Sequence, residues 1–238
     1  AVSALGTGAR GRYTERAAAP AISVTGARRK PTTFITRRGR DLGRNLDHLL
    51  VLDLESTCWE GSPPDDQEPE IIEIGVCVLD ARNGERIARE SILVQPERSD
   101  VSPFCAQLTT LTPDTLARGA TFARACAILR RKYSAPRRVW ASYGDDDRRM
   151  FERQCQARGM PYPLSGSHIN IKSLFALVHG LEHEIGLLPA LEMFGVPVEG
   201  THHRGVDDAW NAAGLLASLL MRWRMALLDE RTPLMEDL

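Results

Sequence analysis

The sequence predicts an α/β fold in which a mixed five-stranded sheet is flanked by helices. Short apolar runs alternate with helical patterns over most of the 238 residues, as is typical of a sheet covered by helices. The first three runs follow one another with no helix between them, whereas helices separate the later ones, so three antiparallel strands should precede parallel strands. With 43% hydrophobic residues, a single domain of this length has ample material for a core.

The strands are predicted over residues 49–54, 71–79, 86–94, 139–142 and 168–171. The first is an apolar run that ends in Asp53, Leu54 and Glu55, and such a run is typical of a strand inside a sheet. The second is rich in β-branched residues, and the Asn83-Gly84 pair after it is a hairpin signal leading into the third. The opening strands should therefore pair antiparallel.

Helices are predicted where a capping residue or proline precedes a periodic apolar pattern. Ser102-Pro103 and Thr112-Pro113 resemble helix starts, and helical spacing follows over 120–133, 145–158, several segments up to residue 194, and 206–228. The last helix should carry one apolar stripe, formed by Ala209, Ala213, Leu216, Leu220 and Trp223.

The charge pattern divides the chain into a disordered basic leader (1–45), a folded domain (46–230) and a short tail (231–238). Ten of the 30 Lys and Arg residues but only two of the 31 acids fall in residues 1–44, so the rest carries a net charge of about −9. Such a domain does not attract nucleic acid through its overall field, and it needs local basic patches or bound cations to do so. The leader could be an organelle transit peptide, a nucleic-acid-binding arm or an over-extended start of the reading frame.

The cysteines and the apolar runs bear on the compartment. Five cysteines, an odd number with no Cys-x-x-Cys pair, favour a reducing, cytoplasmic location. The longest apolar runs are far shorter than the roughly 20 residues that span a bilayer, so no membrane partner is expected. The oligomeric state stays open.

Acidic residues stand at the ends of predicted strands and the starts of helices. Asp53 and Glu55, two apart on a strand, should project from the same face, where paired carboxylates favour a divalent cation between them. The alternative is a solvated strand end. A second group, Asp145 to Asp147, stands at a helix start, where Asp145 could act only as a cap. A third place, His203 and Asp208, sets a base of near-neutral pKa beside a possible metal ligand.

These residues, in this order, resemble the three signature motifs of the DEDDh 3′–5′ exonucleases, which have a ribonuclease H-like fold. Within that superfamily the sequence is most similar to the enhanced-RNAi and histone-mRNA exonuclease type. Asp-Leu-Glu-Ser-Thr-Cys-Trp-Glu from Asp53 resembles the first motif of that type, and the segment 103–112 resembles the one around its Cys-x-x-Leu-Thr. The likeness spans about residues 46–228.

The resemblance implies an enzyme that removes nucleoside 5′-monophosphates from the 3′ ends of single-stranded RNA or DNA with two Mg²⁺ or Mn²⁺ ions. It makes His203 the general base. It implies that the metals are held by Asp53, Glu55, Asp147 and Asp208. It also implies that the terminal nucleotide lies beside Leu108, Thr109 and the backbone near Ser56 and Thr57, with Trp59 as a candidate stacking surface.

Several assignments stay open at this stage. Asp145 or Asp146 could replace Asp147, and a slipped register would replace Asp208 by Asp207. His202 lies next to His203 but lacks the five-residue spacing to Asp208, and Trp59 could equally serve the core or a lid. His179 and His183, four apart on an expected helix, could bind a metal but are better explained as an exposed helix face. The alternative functions are a DNA-trimming or proofreading exonuclease and a catalytically silent nucleic-acid-binding protein.

Overall fold

One mixed sheet with the strand order β3-β2-β1-β4-β5 organises the chain. The computed structural model describes residues 45–229, so the predictions made for residues 1–44 and for the tail lie outside the described residues. The strands are β1 (Asn45–Ser56), β2 (Ile71–Asp80), β3 (Arg86–Leu93), β4 (Arg138–Ser142) and β5 (His168–Asn170). β2 pairs antiparallel with both β1 and β3. β4 pairs parallel with β1, and β5 pairs parallel with β4, which confirms the predicted fold class.

Seven helices lie against the sheet in the described part of the chain. They are α1 (Pro103–Thr109), α2 (Pro113–Leu116), α3 (Phe122–Lys132), α4 (Asp146–Ala157), α5 (Ile171–Val178), α6 (Leu187–Phe194) and α7 (Gly205–Asp229). The predicted starts of α1 and α2 are confirmed, because the hydroxyls of Ser102 and Thr112 accept hydrogen bonds from backbone N–H groups of the first turn.

Alternation along β1 divides the core into two layers. Leu49 and Val51 face the layer that contains α5, α6 and α7, whereas Leu50 and Leu52 face the layer of α3 and α4. Since side chains alternate along a strand, Asp53 continues the first set and points toward α7. The central strand thus fixes which helices its acids can meet.

Three local predictions are wrong. Trp223 is 57% exposed, because α7 extends past the sheet, so the predicted apolar stripe ends before this residue. α5 ends at Val178, so His179 and His183 are not on one helix, and His179 instead stacks on Phe175. Asp145 stands at the N-cap of α4 but makes no capping hydrogen bond, because its backbone is already helical there.

Within residues 45–229, no helix is both long enough and apolar enough to cross a membrane.

Candidate functional site

The site is built at the end of β1, where two carboxylates face α7. Asp53 pairs with Gly75 and Glu55 with Glu73 in the antiparallel register with β2. Between Glu55 and Ser56 the register shifts, so the regular pairing breaks directly after the second acid. Both carboxylates therefore stand where the sheet opens toward the start of α7.

A close backbone approach brings the first turn of α7 to this strand end. A Cβ added to Gly75 would lie 1.9 Å from the carbonyl oxygen of Gly205, so only glycine lets β2 and the helix start touch. As a result Asp208, in the first turn of α7 and 4% exposed, reaches the acids of β1. Carboxylate oxygens of Asp53, Glu55 and Asp208 all lie within 4.8 Å of one another.

The three acids at the start of α4 point in different directions. Asp147 accepts a hydrogen bond of 3.0 Å from the backbone N–H of Leu54, which lies between the two acids of β1. Asp146 has a fully exposed side chain, and Asp145 lies 3.6 Å from His168. The geometry therefore favours Asp147 as the acid that joins the site.

Burial and mutual repulsion raise the pKa values of this cluster. Burial first, and then the charges of Asp147, Glu55 and Asp208, hold the pKa of Asp53 well above its usual range. Burial and the neighbouring carboxylates raise the pKa of Glu55 to about 8. Burial also raises the pKa of Asp147 to about 7, although its bond from Leu54 opposes the rise. Such a cluster is a site for positive charge.

Two adjacent histidines complete the site from the loop before α7. The His202 Nδ1 atom lies 3.0 Å from both carboxylate oxygens of Asp208. His203 has a φ of 64°, and its backbone N–H, rather than its ring, donates to Asp208 at 2.8 Å. The two rings lie 4.0 Å apart, and burial together with the charge of His202 lowers the pKa of His203.

One ring nitrogen of His202, one of His203 and a carboxylate oxygen of Asp208 also lie within 4.8 Å of one another. Asp207 does not compete with Asp208 for the site, because its carboxylate accepts the Thr201 N–H at 2.7 Å and pairs with Arg89.

A buried acid that sequence reasoning missed anchors this loop. Glu73 is fully buried on β2, opposite Glu55, and accepts hydrogen bonds from the Arg204 guanidinium at 3.2 and 3.3 Å and from the Gly205 N–H at 3.0 Å. Arg204 continues to the hydroxyl of Thr110, directly after α1. The ion pair therefore fixes the histidine loop to the sheet and to α1. An acid inside the apolar run 71–79 was the signal for it.

The residues around the acids form a cleft of about 340 Å³. The acids of β1, Asp208 and both histidines line it, together with Tyr143 and Lys172. The Tyr143 hydroxyl donates to the carbonyl oxygens of Ile185 and Gly186, and Lys172 lies 3.8 Å from Glu184. One wall of the cleft is thus tied to the loop before α6.

The predicted nucleotide-binding residues fall into two groups. Leu108 lines a neighbouring cleft of about 580 Å³ with Phe104 and Gln107 of α1. By contrast, the side chains of Thr57 and Thr109 are buried and hydrogen-bonded inside the protein, to the N–H of Glu70 and the carbonyl of Cys105. Their side chains hold the backbone, and contact of these segments with a nucleotide stays a prediction.

The two remaining predicted contacts lie partly exposed. Trp59 is partly buried, and its contact with a nucleotide stays a prediction. Ser56 is also partly buried, and its carbonyl lies 3.5 Å from the Sγ atom of Cys105 on α1.

Comparisons with known proteins agree with this architecture. The Exonuclease family model, RNase_T, matches residues 50–216. The human 3′-5′ exoribonuclease 1 is 29% identical over 186 residues, which cover 73% of this chain and 52% of that protein. The probable 3′-5′ exonuclease KapD of Bacillus subtilis is 25% identical over 166 residues, which cover 69% of this chain and 80% of that protein. The chain spans about half the length of the human relative.

A solved structure shares the fold across most of its length. The crystallographic structure of the nuclease domain of 3′hExo, a DEDDh family member bound to rAMP, superposes with a TM-score of 0.68 at 27% identity, covering 74% of this chain and 92% of that one. Enzymes of this kind use divalent metal ions. Since the family model spans more than half of the sequence and contains the acids of β1, α4 and α7, the chain belongs to the Exonuclease family.

Proposed function

We propose that this chain is a metal-dependent 3′–5′ exonuclease that removes nucleoside 5′-monophosphates from single-stranded RNA or DNA. The observation that carries the proposal is the convergence of Asp53, Glu55 and Asp208 within 4.8 Å, with two histidine rings at the same cleft. The human relative is named an exoribonuclease, which supports RNA as the preferred substrate.

The donor set fits hard divalent cations. Carboxylate oxygens are the ligands that Mg²⁺ and Mn²⁺ prefer, and burial together with the neighbouring carboxylates raises the pKa of Glu55, so the cluster favours a bound positive charge. We propose that Asp53, Glu55, Asp147 and Asp208 hold two such ions. When bound, the ions neutralise the acids, activate the attacking water and stabilise the leaving 3′ oxygen.

The protein's own groups would orient the substrate and move the proton. We propose that His203 accepts the proton of the attacking water. Its lowered pKa favours the neutral imidazole, which is the form that can accept a proton. Asp208 restrains the loop by accepting the His203 N–H, so the ring is carried on a fixed backbone. The ring of His202 contacts the Asp208 carboxylate, whereas His203 contacts it only through its backbone N–H.

The test is digestion of 5′-labelled RNA and DNA oligonucleotides with Mg²⁺ or Mn²⁺. We expect a ladder of products shortened from the 3′ end, with nucleoside 5′-monophosphates as the released species. EDTA and the Asp53→Ala variant should abolish it, whereas Asp66→Ala, an exposed acid between β1 and β2, should not. The RNA-to-DNA rate ratio chooses between RNA processing and DNA trimming. Intact oligonucleotides under every metal condition would instead support a silent nucleic-acid-binding protein.

We also propose that the protein works in the cytoplasm, supported by its five free cysteines, four of which are buried. Cell fractionation followed by detection of the native protein would test this location. Recovery in an oxidising compartment would contradict it.

A further inference from the structure

A second cleft, on the α4 side of the sheet, opens beside the candidate catalytic cleft. It measures about 430 Å³ and is lined by Leu54, Ser56 and Pro69 and, along α4, by Asp146, Arg149 and Arg153. Leu54 also lines the catalytic cleft, and Asp147 bonds to its N–H. The two clefts therefore meet at the end of β1.

Two arginines one helical turn apart form the outer wall of this second cleft. Residues spaced by four lie on the same face of a helix, so the two guanidinium groups of Arg149 and Arg153 project together. Both residues are exposed. Their spacing along the helix is about 6 Å, which is comparable with one nucleotide step of an extended single strand.

Neither arginine is held by a strong ion pair. Arg149 lies 3.9 Å from Asp146, whose side chain is fully exposed, and such a solvated pair is weak and is readily exchanged for a phosphate. Within residues 45–229, no carboxylate oxygen lies within 4 Å of the Arg153 guanidinium, which instead contacts the sulfur of Met150. The arginines that serve the fold are different, since Arg158 and Arg204 pair with the buried acids Glu70 and Glu73.

The other two clefts offer little unpaired positive charge to a nucleic acid. The α1 cleft is lined by Glu60 and uncharged residues, and Lys172 in the catalytic cleft lies beside Glu184. Because the domain is acidic as a whole, a polyanion needs a local basic patch beside the acids. Arg149 and Arg153 supply two cations in the cleft that adjoins the acids.

We propose that Arg149 and Arg153 bind the phosphates of nucleotides on the 5′ side of the one being removed, so that a single strand passes along α4 into the catalytic cleft. The inference rests on the proposed exonuclease function. In this arrangement the part of the nucleic acid that remains after each cleavage lies along Arg149 and Arg153, and the terminal nucleotide lies toward the α1 cleft.

The first experiment compares a long substrate with one that has no upstream nucleotide. The kcat/KM of the double variant Arg149→Gln/Arg153→Gln is measured on a 5′-labelled single-stranded decanucleotide and on the p-nitrophenyl ester of thymidine 5′-monophosphate. We expect a loss of at least tenfold on the decanucleotide and less than a twofold change on the ester. A matched control, Arg131→Gln/Arg137→Gln, removes the same charge near the start of β4, at the opposite end of that strand from α4.

The second experiment measures binding without cleavage. In the Asp53→Ala background, the Kd of a fluorescein-labelled decanucleotide is followed by anisotropy from 50 to 300 mM salt. Each phosphate contact on a single strand contributes about 0.7 to the slope of log K against log salt, so losing both arginines should make the slope shallower by about 1.4. The control pair should leave the slope unchanged.

The outcomes separate the two proposals. Equal losses on the decanucleotide and the ester, or equal effects of the control pair, would overturn the role of Arg149 and Arg153. Absence of hydrolysis by the unmodified protein would refute the exonuclease function instead, and the anisotropy slopes would then still decide whether this wall binds a strand.

Discussion

Replacing Glu55 by Gln should change how the stability of the metal-free protein depends on pH. Glu55 is 9% exposed, and its pKa is raised from 4.5 to about 8 in the folded protein. Between these values the folded state holds a proton that the unfolded state has released, so stability is present below pH 4.5 and is lost as the pH rises through 8. At about 1.4 kcal/mol per pH unit, the loss is about 3 kcal/mol at pH 7.

The assay is urea unfolding in EDTA at pH 5, 6, 7 and 8. Wild-type protein should lose stability steadily over this range, whereas Glu55→Gln, which cannot ionise, should lose several kcal/mol less and be the more stable form at pH 8. Glu60→Gln, an exposed acid near the same strand end, serves as the control. Adding Mg²⁺ at pH 8 should restore the wild type but not the variant. Parallel pH profiles for wild type and Glu55→Gln would refute the reasoning.

Three further predictions concern the loop and the helix start. Gly75→Ala should destabilise the fold by about 1–3 kcal/mol and reduce metal affinity, because its Cβ would meet the backbone of Gly205. Gly166→Ala, with open space around its Cβ, is the control and should change neither quantity. Urea denaturation measures the stability, and calorimetry measures the metal affinity. His203→Asn should lower kcat by about 10²–10⁴-fold with little effect on metal binding, and a larger loss in His202→Asn would reassign the general base. Glu73→Leu should cost about 1–3 kcal/mol of stability, since it removes the acceptor of the buried Gly205 N–H and the partner of the partly exposed Arg204, and an unchanged urea midpoint would contradict that role.

Most of the fold was predictable because its signals are local. The apolar run before Asp53 and the hairpin signal at Asn83-Gly84 placed the first three strands within a few residues of their observed ends. α5 ends where Gly180 takes a left-handed backbone conformation with a φ of 62° and the Leu181 N–H donates to the Ala176 carbonyl, as in a glycine C-cap. Gly180 is therefore a local stop signal for this helix, which the reading of helical spacing over these residues did not use.

The two acids of β1 were predictable from local alternation along the strand, but the acid of α4 that joins them was not. Alternation on a strand puts Asp53 and Glu55 on one face whatever the rest of the chain does. Which acid of α4 turns inward depends on the Leu54 N–H, which lies beyond the last pair between β1 and β4, and this is a property of the assembled sheet. The sequence proposed Asp147 only through a resemblance.

The histidines mark the limit of reasoning from spacing. A five-residue interval selected His203, yet its left-handed backbone places its N–H on Asp208 and leaves the ring of His202 closest to that carboxylate. The next residue, Arg204, pairs with Glu73 on β2 and ties this loop to the sheet. The position of both rings therefore depends on a buried acid that lies 130 residues earlier in the sequence. Since Glu73 does not line the cleft, it serves the site through the loop that it holds by bonds from Arg204 and Gly205.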